Sequence, residues 1–133
     1  MNGQNELAPI TSSNAKQQLK KIAVIGSRTF GNYDLLNSEL SLLNESFILI
    51  SGGAKGVDQM AEGYADAHGY SKVIYKPDYK SFGKNAPVVR NTEIVDAADL
   101  VIIFWDRKSK GTLDVLNKCK RKNKKYKLVL FKD

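Results

Sequence analysis

Phe47-Ile48-Leu49-Ile50-Ser51-Gly52-Gly53-Ala54-Lys55-Gly56-Val57-Asp58-Gln59-Met60-Ala61 is the stretch whose reading decides the fold. Four apolar residues, two of them β-branched, make a run of strand length with no polar alternation, as expected of a strand covered on both faces. The chain then turns through glycines. From residue 57 the apolar positions Val57, Met60, Ala61, Tyr64, Ala65 and His68 recur at steps of three and four, and Gly69 closes the helix they predict. A buried strand, a glycine turn and an amphipathic helix form half of a parallel βαβ unit.

The same alternation continues on both sides. Ile22 to Ile25 is a β-branched run stopped by Gly26, and Asp34 can cap a helix carrying Leu35, Leu36, Leu40, Leu42 and Leu43. Val73-Ile74-Tyr75 is a third strand, ended by Pro77. Residues 77–86 read as a long loop rich in Lys, Gly and aromatic side chains. Pro87 suits the first position of a helix reaching about residue 98. Residues 100–104 predict a fourth strand, 111–121 a last helix, and 126–131 a last strand. Apolar strands alternating with helices imply an α/β fold: a single Rossmann-like, doubly wound, mainly parallel five-stranded sheet with helices on both faces.

The 133 residues suit one domain, and 42% apolar content can supply its core. Residues 1–20 read as a polar tail, with Thr11-Ser12-Ser13-Asn14 able to cap a short helix, and residues 21–133 as the domain. The single cysteine, Cys119, and the single histidine, His68, exclude an internal disulfide and a Cys/His zinc site; both residues read as structural, and neither a metal nor a cofactor is expected. No run reaches the roughly 18 to 20 apolar residues of a membrane span, and the N-terminus has no secretory h-region, so a cytoplasmic location and no membrane partner are expected.

The net charge of +7 is a C-terminal property. Residues 107–127 hold ten Lys/Arg and one acid, Asp114, a balance of +9, against −2 for the rest, which has eleven Lys/Arg and thirteen acids. Such a segment either steers anions, nucleic acid included, or is a solvated helix face.

Doubly wound sheets bind ligands beyond the carboxyl ends of their strands. There this chain sets Gly26-Ser27-Arg28, then Ser51-Gly52-Gly53-Ala54-Lys55-Gly56, then Pro77-Asp78, and then Trp105-Asp106 with Ser109-Lys110-Gly111-Thr112. Glycine lets backbone N–H groups approach an anion, and a helix N-terminus favours a phosphate. Each motif also has a plain structural reading: a tight turn for 51–56, an exposed Arg for Arg28, helix capping for Ser109 and Asp58, core packing for Trp105. Arg90 either meets an anion or pairs with Glu93 or Asp96. Trp105, Tyr79 and Phe82 are candidates to stack on a base. The spacings fit neither a P-loop nor Gly-x-Gly-x-x-Gly.

Those motifs, together with Arg90-Asn91-Thr92-Glu93-Ile94-Val95 and residues 98–106, resemble the SLOG superfamily, most closely the small YspA-like proteins, over residues 22–121. The resemblance implies a Rossmann-like nucleotide-binding domain. It extends to the Lonely-guy phosphoribohydrolases, which cleave the N-glycosidic bond of nucleoside monophosphates, and to the DNA-processing protein A group, which binds single-stranded DNA. The hydrolases carry a reactive arginine where Arg90 stands, and a catalytic glutamate in Pro-Gly-Gly-x-Gly-Thr-x-x-Glu. Here Trp105-Asp106 replaces Pro-Gly, and the glutamate position falls on Val115.

The expected function is therefore binding of a nucleotide or nucleotide-derived signalling ligand. Its expected contacts are Gly26, Ser27, Arg28, Ser51, Gly52, Gly53, Ala54, Lys55, Gly56, Asp58, Trp105, Ser109, Gly111 and Thr112, with residues of the 77–86 loop facing the base. The alternatives are a nucleoside-monophosphate phosphoribohydrolase, with Arg90 catalytic and Asp114 or Asp58 supplying the carboxylate, and single-stranded nucleic-acid binding through the basic C-terminal segment. A protein-interaction role is a further reading, and the resemblance implies a homo-oligomer.

Overall fold

A computed structural model describes residues 19–132. The expected cap at residues 11–14 and most of the proposed tail lie outside the described residues. Eleven elements follow one another: β1 (Lys21–Gly26), α1 (Tyr33–Ser41), β2 (Ile48–Ser51), α2 (Val57–His68), β3 (Lys72–Ile74), α3 (Tyr79–Phe82), a 3₁₀ turn (Gly83–Asn85), α4 (Ala86–Ala97), β4 (Leu100–Trp105), α5 (Lys110–Arg121) and β5 (Tyr126–Leu130). The five strands form one parallel sheet in the order β3-β2-β1-β4-β5.

Strand alternation assigns the two faces. Ile22, Val24, Leu49, Ile102 and Phe104 pack with Leu36 and Leu40 of α1 and with Val57, Ala61 and Tyr64 of α2. Ala23, Ile25, Ile50, Val101 and Ile103 point the other way, onto Ile94 and Val95 of α4 and Val115, Leu116 and Cys119 of α5. Two helices therefore cover each face, as the doubly wound reading requires. Coverage is complete only over the central strands. All three residues of edge strand β3 are exposed, so the apolar run at 73–75 is an edge and not a buried core strand.

The helix ends follow local chemistry. Asn32, not Asp34, caps α1: its Oδ1 accepts the Leu35 N–H at 3.0 Å, and Asp34 sits in the first turn beside the helix dipole. Gly69 ends α2 in the left-handed conformation at φ 72°. Ser109 caps α5 by accepting the Thr112 N–H at 3.3 Å. The expected loop at 77–86 is largely helical. Asp78 caps α3 by accepting the Ser81 N–H at 3.1 Å, and its carboxyl is held below the usual range by hydrogen bonds from Ser81. α4 starts at Ala86, one residue before Pro87.

Strand order reverses between β1 and β4. β2 and β3 step away from β1 on one side, while β4 and β5 step away on the other. The loops leaving β1 and β4 thus diverge onto opposite faces and open a crevice at the carboxyl edge of the sheet. Among the described residues, no helix is long and apolar enough to cross a membrane.

Candidate functional site

The crevice is a cleft of about 600 Å³. Arg28 enters from the loop after β1, and Gly52, Gly53, Ala54 and Asp58 from the turn into α2. Pro77 and Tyr79 come from the segment after β3, Pro87, Arg90, Asn91 and Ile94 from α4, and Ser109, Gly111 and Val115 from the start of α5. All four strand-end segments contribute, because a parallel sheet sets its carboxyl ends on one edge.

The glycine turn is held from within. The Asp58 carboxylate reaches back along the turn, where its Oδ2 accepts the Gly52 N–H at 3.1 Å and the Ala54 N–H at 3.4 Å. Ser51 Oγ accepts the Gly53 N–H at 3.1 Å and donates to Glu62 Oε2 at 2.7 Å. Three amides that the sequence offers as a phosphate cradle therefore have acceptors inside the protein. Asp58 is only 4% exposed. Burial raises its pKa from 3.8 to about 6, even though the hydrogen bonds from Ala54 and Gly52 and the charge of Arg90 act in the opposite direction.

Two close approaches explain glycines in these turns. A side chain on Gly52 would lie 2.8 Å from Asp58 Oδ2 and 2.9 Å from Arg90 Nη1. Gly56 has φ 78° and ψ −124°, and a Cβ there would lie 2.5 Å from the Ser27 carbonyl oxygen and 2.6 Å from that of Arg28. Gly56 therefore lets the turn into α2 press against the loop after β1.

Ser27 joins the two diverging loops. It is 1% exposed; its N–H donates to Phe104 O at 3.1 Å, and its Oγ accepts the Asp106 N–H at 3.3 Å. Asp106 in turn accepts the Lys108 and Ser109 N–H groups at 2.8 Å each. Those bonds, Ser109's first, hold its carboxyl below the usual range and shape the loop into α5.

Arg90 clamps the cleft floor. Its Nη1 donates to Gly52 O at 2.7 Å and to Tyr75 O at 3.3 Å, tying α4 to the ends of β2 and β3, and its Nε donates to Asn91 Oδ1 at 3.1 Å. Asn91 passes the network on, donating through Nδ2 to Asp114 Oδ2 at 3.0 Å. Asp114 is then closed by Lys118, whose Nζ donates to both carboxylate oxygens at 2.7 Å. The Lys118 side chain is 6% exposed and that of Asp114 27%.

Of the residues singled out from sequence, Arg28, Gly52, Gly53, Ala54, Asp58, Arg90, Ser109 and Gly111 line the cleft. Gly26, Ser27, Ser51, Lys55, Gly56, Trp105, Thr112 and Asp114 do not. Trp105 packs against the core under α4 and α5, and its Nε1 donates to Ser109 O at 3.0 Å. Tyr79, 61% exposed, is the aromatic side chain at the cleft mouth. Val115, on which the resemblance sets the hydrolases' glutamate position, lines the cleft, whereas Pro87, Asn91 and Ile94 went unnoticed as lining. Their signal was helical spacing: 87, 90, 91 and 94 form one stripe of α4, the stripe that carries Arg90.

Among the described residues, no cationic side chain lines a hollow of about 350 Å³ near Leu40, Glu45, Tyr64 and Tyr70, so it is a poor anion site. Among the described residues, no group of three or more His, Cys, Asp or Glu could hold a metal ion. The basic segment is partly neutralised by acids from elsewhere: Lys122 pairs with Asp96 at 2.7 Å and Lys127 with Glu39 at 2.6 Å.

Residues 20–82 match the model of the YspA, cpYpsA-related SLOG family. The chain is 29% identical over 104 residues to Gene 61 protein of Mycobacterium phage D29, covering 71% of this chain and 83% of that protein. The fold is similar to DNA processing protein A from Streptococcus pneumoniae, with a TM-score of 0.71 at 18% identity over 84% of this chain and 50% of the other. It is likewise similar to DNA processing protein A from Helicobacter pylori, a structure described for its single-stranded DNA binding mode, with a TM-score of 0.67 at 20% identity over 87% and 67%. This chain thus spans half the length of the Streptococcus protein. Residues 20–82 thus match the YspA, cpYpsA-related SLOG family, and the sheet topology is the Rossmann-like one shared with the DNA processing protein A structures.

Proposed function

We propose that the chain binds a nucleotide or nucleotide-derived ligand in the cleft at the β1–β4 switch point. The carrying observation is the convergence of two arginines, Arg28 and Arg90, one buried carboxylate, Asp58, and an aromatic mouth residue, Tyr79, around a volume of about 600 Å³. Arg28 is exposed and has the fork geometry that suits a phosphate, and Tyr79 offers a ring face to a base. The cleft lies where doubly wound sheets hold their ligands.

Holding is favoured over cutting. A glycosidase needs a carboxylate beside the sugar carbon. Val115 stands in the cleft wall at the position where the related hydrolases carry theirs, while Asp114 is engaged by Asn91 and Lys118 outside the wall. Among the described residues, Asp58 is the one carboxylate in the wall, and its Oδ2 is engaged by the Gly52 and Ala54 amides.

Titrating nucleoside monophosphates into ¹⁵N-labelled protein tests the proposal. Amides of Arg28, Gly53, Arg90 and Gly111 should shift together, with no free base released. Shifts confined to other surfaces would overturn the cleft reading, and release of base would overturn the holding one.

A second reading has its own support. Arg107, Lys108, Lys110, Lys120, Arg121 and Lys125 are exposed, on α5 and its flanking loops. Single-stranded DNA bound there would lose affinity steeply with salt, as released counterions dictate. Absent or salt-independent binding removes this reading.

A further inference from the structure

We infer that Asp58 is a specificity residue of the cleft: its carboxylate accepts a hydrogen bond from a sugar hydroxyl of the ligand, so that ribose-bearing ligands are preferred to their deoxy counterparts. This rests on the nucleotide reading above and adds which part of the ligand faces which wall.

The argument is one of donors and acceptors. A carboxylate has about four acceptor positions. Asp58 uses one oxygen for the Gly52 and Ala54 amides and draws a weaker backbone contribution from Gly26. Those bonds do not offset its burial, since the net effect still favours the protonated form. Both printed bonds fall on Oδ2, so acceptor capacity remains on a carboxylate that stands in the wall of an open cleft. A ligand O–H placed against it adds a donor that a buried carboxylate can accept.

A phosphate cannot take that place. The amides of Gly52 and Ala54 are committed to Asp58, and that of Gly53 to Ser51 Oγ, so this wall meets an anion with a negative charge and few free donors. The charged groups around Asp58 point to the same division. Arg90, from α4, spends its Nη1 on Gly52 O and Tyr75 O, and Glu62, further along α2, is bound by Ser51 Oγ. Arg28, on the loop after β1, is exposed and lines the same cleft. Lys55, in the turn itself, is exposed and outside the wall. The uncharged hydroxyl end of the ligand then faces Asp58, and the phosphate faces Arg28.

The test compares AMP with 2′-deoxy-AMP and 3′-deoxy-AMP by calorimetry at pH 7.5, on the full chain and on Asp58→Asn. A hydrogen bond to a charged acceptor predicts that at least one deoxy compound binds the unmodified protein about tenfold or more weakly. In Asp58→Asn, which keeps an oxygen for the two amides, the penalty should shrink severalfold. A second readout needs no variant: the ¹³C carboxyl resonance of Asp58, titrating near pH 6 in the free protein, should move to a lower midpoint when AMP or ribose 5-phosphate is bound. Equal affinity for all three nucleotides, an undiminished penalty in Asp58→Asn, or an unmoved Asp58 resonance with AMP bound each overturns the inference while leaving the nucleotide reading intact. If neither AMP nor ribose 5-phosphate moves any cleft resonance, both fall together.

Discussion

Asp58 Oδ2 and the Gly52 N–H meet at 3.1 Å, and a single methyl group on Gly52 would come within 2.8 Å of the same oxygen. The carboxylate and the glycine define each other. Only a residue without a side chain admits the acceptor so close to the backbone, and the acceptor holds the turn that the glycine makes.

That arrangement has a pH signature. Asp58 has a folded-state pKa of about 6 against 3.8 for an unperturbed Asp, so between those values the native state binds more protons than the unfolded chain. Stability therefore falls as pH rises from about 4 to 6 and is level above that, by about 3 kcal/mol at most for a shift of this size. Asp78 and Asp106, whose pKa values are lowered, act oppositely and only at the acid end, where their stabilisation is lost. Denaturant midpoints at pH 4.5 and 7 should thus differ in the unmodified protein and differ much less in Asp58→Asn. Equal slopes in the two proteins would contradict the assignment.

Gly56→Ala should be far worse than an ordinary surface change. Its φ of 78° with ψ −124° belongs to a region open essentially to glycine, and the new Cβ would strike two carbonyl oxygens. Backbone strain alone costs about 1–3 kcal/mol, and the clash adds to it. Gly31→Ala, where a Cβ meets nothing within 4 Å, is the matched control and should leave the unfolding midpoint nearly unchanged.

The Asp114–Lys118 pair predicts an asymmetry. Asp114→Ala leaves an ammonium that is 6% exposed without its partner, a loss of about 3–5 kcal/mol. Lys118→Met leaves a carboxylate that is 27% exposed and still bonded to Asn91, so it should cost clearly less. Thermal unfolding of the two variants checks the order. If Asp114 served catalysis instead, Asp114→Ala would abolish turnover with little effect on folding.

Arg28→Ala should separate binding from stability. The side chain is exposed and lines the cleft, so the fold should not notice its loss. Affinity for a phosphate-bearing ligand should fall about tenfold, the value of one charge-assisted contact. Arg90→Ala should instead lower stability as well, because its Nη1 holds the ends of β2 and β3. Matched calorimetry and denaturation on both variants distinguish an arginine for the ligand from an arginine for the frame.

The layered fold was legible in the sequence because it is written in local periodicity. Runs such as 47–50 and 100–104, each followed by a turn and a helical stripe, imply a parallel sheet wherever they occur. Helix ends were nearly as readable, with errors of a residue or two where neighbours compete for one cap, as Asn32 and Asp34 do. The exposure of β3 was not readable, since an apolar triplet reads alike at a sheet's edge and at its centre.

The site divides in the same way. Sequence determined which segments meet, because strand ends on one edge are a matter of topology. It did not determine which atoms of those segments face the cleft. Gly56 and Ser27 proved to hold two loops together, and Trp105 to pack in the core, since a glycine, a serine or a tryptophan serves either purpose equally well in one dimension. The fate of the amides at 52–54 was decided only in three dimensions. Whether those N–H groups point at a ligand or at Asp58 depends on where the first turn of α2 carries its carboxylate, and that is set by the packing of α2 on β1 and β2.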